Sequence, residues 1–182
     1  MNILVLGVAL WVAAHLFKRM APQFRAAMGD TGKAVVALAL LAAVLLMIWG
    51  YRSADGAVFW GVSPALKGIN NLLILIAFYL FAAAGMKTAI ARRMRHPMLW
   101  GVVIWSVAHL MVNGDTPSFV LFGGLGLWAL VEMAVINRSQ PHWVPPAAQP
   151  RQRELMALAG AFIVYGVAAL VHIWLGYNPF GA

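Results

Sequence analysis

Long apolar runs separated by short polar segments dominate the chain. Six of them are candidates to cross a hydrocarbon core of ~30 Å: near Asn2–Phe17, Ala34–Gly50, Ile69–Met86, Met98–Val112, Phe119–Ile136 and Leu155–Leu175. At ~1.5 Å per residue the first covers only ~24 Å, so its helix should continue past Lys18 or sit in a locally thinned bilayer. The fourth is short as well. The pattern predicts an all-α polytopic membrane protein: one domain over residues 1–182, built as a bundle of about six transmembrane helices.

Composition strengthens this reading. The 182 residues are 63% hydrophobic and 10% charged, whereas soluble domains carry roughly 25% charged residues. Mean hydropathy is +0.83. The lipid bilayer is therefore the first expected partner. Met1-Asn2 lacks the charged start of a cleavable signal, so the first apolar run is expected to remain as a helix.

The cations set an orientation. Lys18, Arg19, Arg25 and Lys33 follow the first run, Arg52 and Lys67 the second, and Lys87, Arg92, Arg93 and Arg95 the third. The fourth connection has none, and the fifth has Arg138, Arg151 and Arg153. The positive-inside rule then puts the first, third and fifth connections in the cytoplasm and both termini on the non-cytoplasmic side. Topology and contact with anionic headgroups account for the formal charge of +8. No basic stripe interleaved with exposed aromatics points to nucleic acid.

Cysteine is absent, which excludes disulfides, thiolate nucleophiles, Cys metal sites and covalent c-type haem attachment. No phosphate-cradling motif, H-E-x-x-H or G-x-S-x-G is present. Chemistry is then sought among ionisable residues inside the membrane, where each costs roughly 2.5–3.5 kcal/mol unless a partner compensates it. His15 lies near the cation-rich end of the first helix, and His109 is expected near the middle of the fourth. Glu132 lies toward the cation-rich end of the fifth helix, His172 toward the far end of the sixth, and His96 at the start of the fourth.

A lone histidine on an apolar helix is more often a hydrogen-bonded structural residue than a ligand, and that reading is preferred for His172. His142, within Pro141-His142-Trp143-Val144-Pro145-Pro146, reads as part of an interfacial turn. Glu132 suits either a proton relay or pairing with Arg or His. His15 and His109 are the stronger pair, since two neutral imidazoles on facing helices can hold one haem iron. Their depths, ~5 Å and ~18 Å from the cation-rich boundary at ~1.5 Å per residue, differ. Helical side chains lean toward the N-terminus, which tilts the two rings toward each other. Trp105, His109 and Asn113 share one helical face with Ser106 beside it, and Gly101, Ser106 and Ala108 permit close approach of a backbone or a flat macrocycle.

Three stretches carry a family resemblance: Arg95-His96-Pro97-Met98-Leu99-Trp100-Gly101, Ile104-Trp105-Ser106-Val107-Ala108-His109 and Asn113-Gly114-Asp115, with Ala14-His15 in the first helix. Together they resemble the NnrU family of bacterial membrane proteins over nearly the whole chain. That family is related to plant 15-cis-zeta-carotene isomerase, a membrane enzyme with b-type haem held through histidine. The resemblance implies a bacterial inner-membrane protein with haem b held by His15 and His109. It also implies an isomerase-like or nitrogen-oxide-related role, and an apolar substrate or a nitrogen oxide as partner. The isomerase has a cysteine three residues before its second ligand; Ser106 stands there here, and a hydroxyl is a poor substitute for a soft thiolate.

In this reading Ser106 and Asn113 shape the pocket, Arg95 pairs a haem propionate, and His96 supports the rim or replaces His15 as ligand. A homo-oligomer is compatible with all of this. Arg95-His96-Pro97-x-Leu99-x-Gly101 also resembles the R-H-P-x-Y-x-G element of isoprenylcysteine-type methyltransferases, which bind S-adenosylmethionine. The tyrosine is Leu99 here, and Arg151-Gln152-Arg153-Glu154 replaces the later Glu-Glu element. A non-enzymatic assembly or regulatory subunit is the third reading. Whether the protein is an enzyme is left open by the sequence.

Overall fold

A computed structural model describes residues 1–181 and is all-α apart from one short strand pair. The helices are α1 (Asn2–Met20), α2 (Pro22–Ala27), α3 (Gly29–Arg52), α4 (Pro64–Met86), α5 (Pro97–Val112), α6 (Thr116–Ser139) and α7 (Arg151–Trp174). Strand β1 (Val58–Trp60) pairs with β2 (Gly114–Asp115). Five of the helices are long and apolar enough to cross a membrane, and the 16-residue α5 is the shorter sixth apolar helix. Helix α1 does run past Lys18, to Met20. The protein is therefore a multi-pass membrane protein by the length and composition of its helices.

Why the helices turn outward what a soluble protein would hide follows from the solvent. Leu38, Leu41, Leu45 and Ile48 on α3 and Phe162, Ile163 and Leu170 on α7 are exposed. Between lipid tails such side chains lose nothing, whereas every backbone group must be satisfied within its own helix. Contacts between helices then rest on small residues that bring backbones together.

The chain forms two compact units. The first comprises residues 1–59 and 114–141. In it α1 packs on α3 through two glycines. A Cβ built on Gly7 would lie 2.8 Å from Met47 N and 3.1 Å from the Ala43 carbonyl oxygen. One built on Gly50 would lie 2.6 Å from Leu4 Cα. Gly124 of α6 faces the side chain of Val8 on α1, 2.9 Å from where its Cβ would lie.

Helix α6 starts where the Asp115 carboxylate accepts from Ser118 N–H at 2.8 Å, with Pro117 in the first turn. This N-cap is reinforced by a 2.9 Å hydrogen bond between the Tyr51 and Ser118 hydroxyls. The helix then passes through a wider π turn at Phe119–Gly123 before resuming α geometry. Asp115→Ala removes the cap and is expected to cost about 1 kcal/mol, read as a lowered thermal midpoint of the purified protein in detergent.

The second unit comprises residues 60–113 and 142–182, of which 60–113 and 142–181 are described. Helix α4 begins with Ser63 accepting from Leu66 N–H at 3.3 Å and with Pro64 in its first turn. It packs on α5 and α7. Gly101 of α5 lets the Phe81 ring and the Ala77 carbonyl of α4 approach: a Cβ there would lie 2.6 Å and 3.0 Å from them. At the far end α4 stops at Lys87, the only residue other than glycine with positive φ among those described (φ 55, ψ 45). Thr88 N–H returns to the Ala83 carbonyl at 3.2 Å, a C-terminal lock of the Schellman type.

Glu154 of α7 accepts from the Tyr79 hydroxyl at 3.3 Å and from Ala89 N–H, tying α7 to that end of α4. At the opposite end Lys67 donates to the Gly181 carbonyl and Asn71 donates to that of Pro179 at 2.9 Å. A lysine that reads as a loop cation in the sequence is thus engaged by the tail.

Candidate functional site

In the first unit His15 stands between two tryptophans. Its ring centroid lies 4.3 Å from that of Trp11, one turn earlier on α1, and 4.4 Å from that of Trp128 on α6. The two indoles meet edge to face at 5.5 Å. Nδ1 of His15 is 3.0 Å from the Trp11 carbonyl oxygen. A carbonyl can only accept, so Nδ1 carries the proton, and in the neutral ring Nε2 holds the lone pair.

Glu132 lies one turn after Trp128 on the same face of α6 and is buried, 8% exposed. Its Oε2 and the Nε1 groups of Trp11 and Trp128 are buried with no hydrogen-bond partner among the described residues. A buried polar atom left this way costs roughly 1–3 kcal/mol. Two of the three belong to the indoles that contact His15, and the third to the residue one turn after Trp128.

The second unit repeats the local arrangement. His109 lies in the last turn of α5 and not near its middle, although α5 ends at Val112 as the apolar run did. Its Nδ1 is 2.9 Å from the carbonyl oxygen of Trp105, one turn earlier, and the two rings are 4.8 Å apart. Again Nδ1 donates and Nε2 carries the lone pair. Asn113 donates to the His109 carbonyl at 2.9 Å and so closes the helix end. Ser106, three residues before His109, is buried at 2% exposure, and its hydroxyl has no hydrogen-bond partner among the described residues.

Trp11-x-x-x-His15 and Trp105-x-x-x-His109 thus share one geometry; Trp11, and Trp128 that contacts His15 from α6, were not singled out from the sequence. Equal four-residue spacing was the available signal for Trp11. Trp128 carries none beyond its place one turn before Glu132. His172 of α7 makes the same backward bond, to Ala168 at 2.7 Å, but is exposed, as is His142.

Arg95 and His96 belong to a different place. They precede Pro97, the first residue of α5, and His109 lies twelve residues farther on, about 18 Å along the helix axis. They line a cavity of about 320 Å³ together with Lys87 and Trp143. The structure groups Ser106, His109 and Asn113 at one end of α5 and sets Arg95 and His96 at the other.

The imidazoles fit an axial role. A haem iron takes a neutral imidazole nitrogen, and a second hydrogen bond from the other ring nitrogen fixes the tautomer and the ring orientation. His15 and His109 each have that second bond. Among the described residues no group of three or more His, Cys, Asp or Glu is gathered for a metal ion.

A family model described as NnrU protein matches residues 3–179. No curated protein and no solved structure matches the chain.

Proposed function

The chain belongs to the NnrU family, and from that premise we propose that it is a membrane-embedded b-type haem protein with His15 and His109 as the axial ligands. What supports the reading is the twin arrangement at these residues: in each, the Nδ1 proton goes to the carbonyl of the tryptophan one turn earlier, so Nε2 carries the lone pair. Bound haem supplies reversible one-electron chemistry, with a potential set by its ligands and by burial.

The chain's own contribution is to hold each imidazole in one tautomer, to lay an indole against each ring and to exclude water. Ser106, buried one turn from His109, and Asn113, which bonds the His109 carbonyl, are polar side chains near that ring. The apolar helix exteriors suit an apolar substrate arriving through the bilayer or a small nitrogen oxide. The setting in this proposal is a bacterial inner membrane, with the cation-rich connections in the cytoplasm and both ends of the chain opposite. Arg95 and His96 take no part in holding the cofactor in this reading.

Hemin titrated into the purified, haem-depleted protein in mild detergent tests the proposal. Tryptophan emission should fall along a saturating curve, since Trp11, Trp105 and Trp128 all contact the proposed ligands or their neighbours. A non-saturating decline, matched by the His15→Ala/His109→Ala double variant, would overturn it.

A further inference from the structure

Unit two has a second polar centre, independent of the haem reading. Lys87, Arg95 and His96 converge with Trp143, Met98 and Leu99 on the cavity of about 320 Å³. That volume is at the lower end of the range for small-molecule sites, roughly 300–1,000 Å³. Its wall is built from three segments: the end of α4, the start of α5 and the proline-rich connection that carries Trp143. Among the described residues no carboxylate lines it. The nearby acid of α7, Glu154, is already engaged by Tyr79 and Ala89 N–H.

Lys87 adds a second argument. It occupies the left-handed region (φ 55, ψ 45) at the end of α4, where glycine is favoured and a side chain costs roughly 1–2 kcal/mol. The chain meets that cost with a residue that places an ammonium at the cavity wall. Arg95 contributes a guanidinium, whose planar fork matches phosphate oxygens. Trp143, Met98 and Leu99 add apolar lining to the same cavity, as suits a ligand whose charged group continues into an acyl or other greasy part.

We propose that this cavity binds an anionic phosphate group, held by Lys87 and Arg95 with His96 beside them. The shared chemistry has two sources, the headgroup of an anionic phospholipid and a soluble phosphate. Basic pockets between transmembrane helices are a recurring form of the first.

The test uses the full chain in mild detergent. Retention of phosphatidylglycerol and phosphatidylcholine is compared by native mass spectrometry, and thermal stabilisation by inorganic phosphate is compared with chloride at equal ionic strength. Lys87→Gly removes the ammonium while supplying the residue best suited to φ 55, so this variant should melt no lower than the parent. It and Arg95→Gln should each weaken binding at least about tenfold. A Lys18→Gln/Arg19→Gln variant, altering cations of the first unit, should bind as the parent does.

Selective retention of phosphatidylglycerol, lost in the two cavity variants, supports the site with a lipid source. Stabilisation by inorganic phosphate alone, lost in the same variants, supports it with a soluble one. Equal losses in the Lys18/Arg19 variant would reduce the effect to diffuse surface charge and overturn the proposal. Binding of S-adenosylmethionine without either phosphate probe would also overturn it, in favour of methyl transfer.

Discussion

His109→Ala is expected to lower haem occupancy of the purified protein by about tenfold or more, with any haem that remains converted from low to high spin. The magnitude follows from what is lost: altering even the groups that orient a ligand costs about 10–100-fold in metal affinity, and here the ligating nitrogen itself goes. Alanine also leaves Trp105 without the ring that lies 4.8 Å from it and its carbonyl without the Nδ1 donor. His15→Ala should act in the same direction and removes the ring that contacts both Trp11 and Trp128. Electron paramagnetic resonance of the oxidised variants reads the spin state directly. His172→Ala is the matched control: it removes an equivalent backward hydrogen bond from an exposed position and should leave the spectrum unchanged. Low-spin haem at full occupancy in both His15→Ala and His109→Ala would remove these residues from the account.

The largest stability effect is expected from Gly50→Leu. The Cβ alone would sit 2.6 Å from Leu4 Cα and closer still to the Leu4 backbone nitrogen. What must yield is therefore backbone, not the tip of a flexible side chain. Adding the rest of the leucine forces α1 and α3 apart along the seam that Gly7 also shares. Overpacking in a well-packed core typically costs 1–3 kcal/mol, and with a backbone on the other side about 3 kcal/mol is the expected figure. Gly85→Leu, at a position where an added Cβ meets nothing within 4 Å, should cost little beyond its surroundings. Thermal unfolding of both variants in one detergent makes the comparison. Equal midpoints would mean that the α1–α3 contact does not depend on the glycine.

The fold was largely legible from the sequence because the bilayer imposes one requirement that local composition can answer. A run must be apolar for the thickness of the hydrocarbon and hydrogen-bonded within itself. The six apolar runs therefore return as α1, α3, α4, α5, α6 and α7 with ends shifted by a few residues. The short helix Pro22–Ala27, the π turn at Phe119–Gly123 and the β1–β2 pair were not legible. These depend on connections satisfying their own backbone groups, which hydropathy does not encode.

The candidate site divides in the same way. His15 and His109 stand out as rare polar residues in apolar helices. That Trp128 completes the surroundings of His15 depends on which face of α6 meets α1, and a hydrophobic pattern without amphipathic contrast does not specify a face. The end of the fourth run was legible, since Met98–Val112 stops where α5 stops; His109 lies three residues before that end and was placed too near the middle, and the Asn113 side chain that bonds back to its carbonyl marks the helix end. Of the cations from Lys87 to Arg95, Arg95 alone was given a role at a site from the sequence, and topology and headgroup contact accounted for the others. That Lys87 and Arg95 share a cavity with Trp143 and Pro146, from a distant connection, is a tertiary fact that local composition does not encode.

The most direct measurement is the absorption spectrum of the protein purified in mild detergent from cells supplied with iron and haem precursor, recorded oxidised and dithionite-reduced and quantified as the pyridine haemochrome. The account predicts a b-type spectrum near one haem per chain, with the sharp reduced bands of a low-spin iron. A colourless protein that also fails to take up added hemin would contradict it.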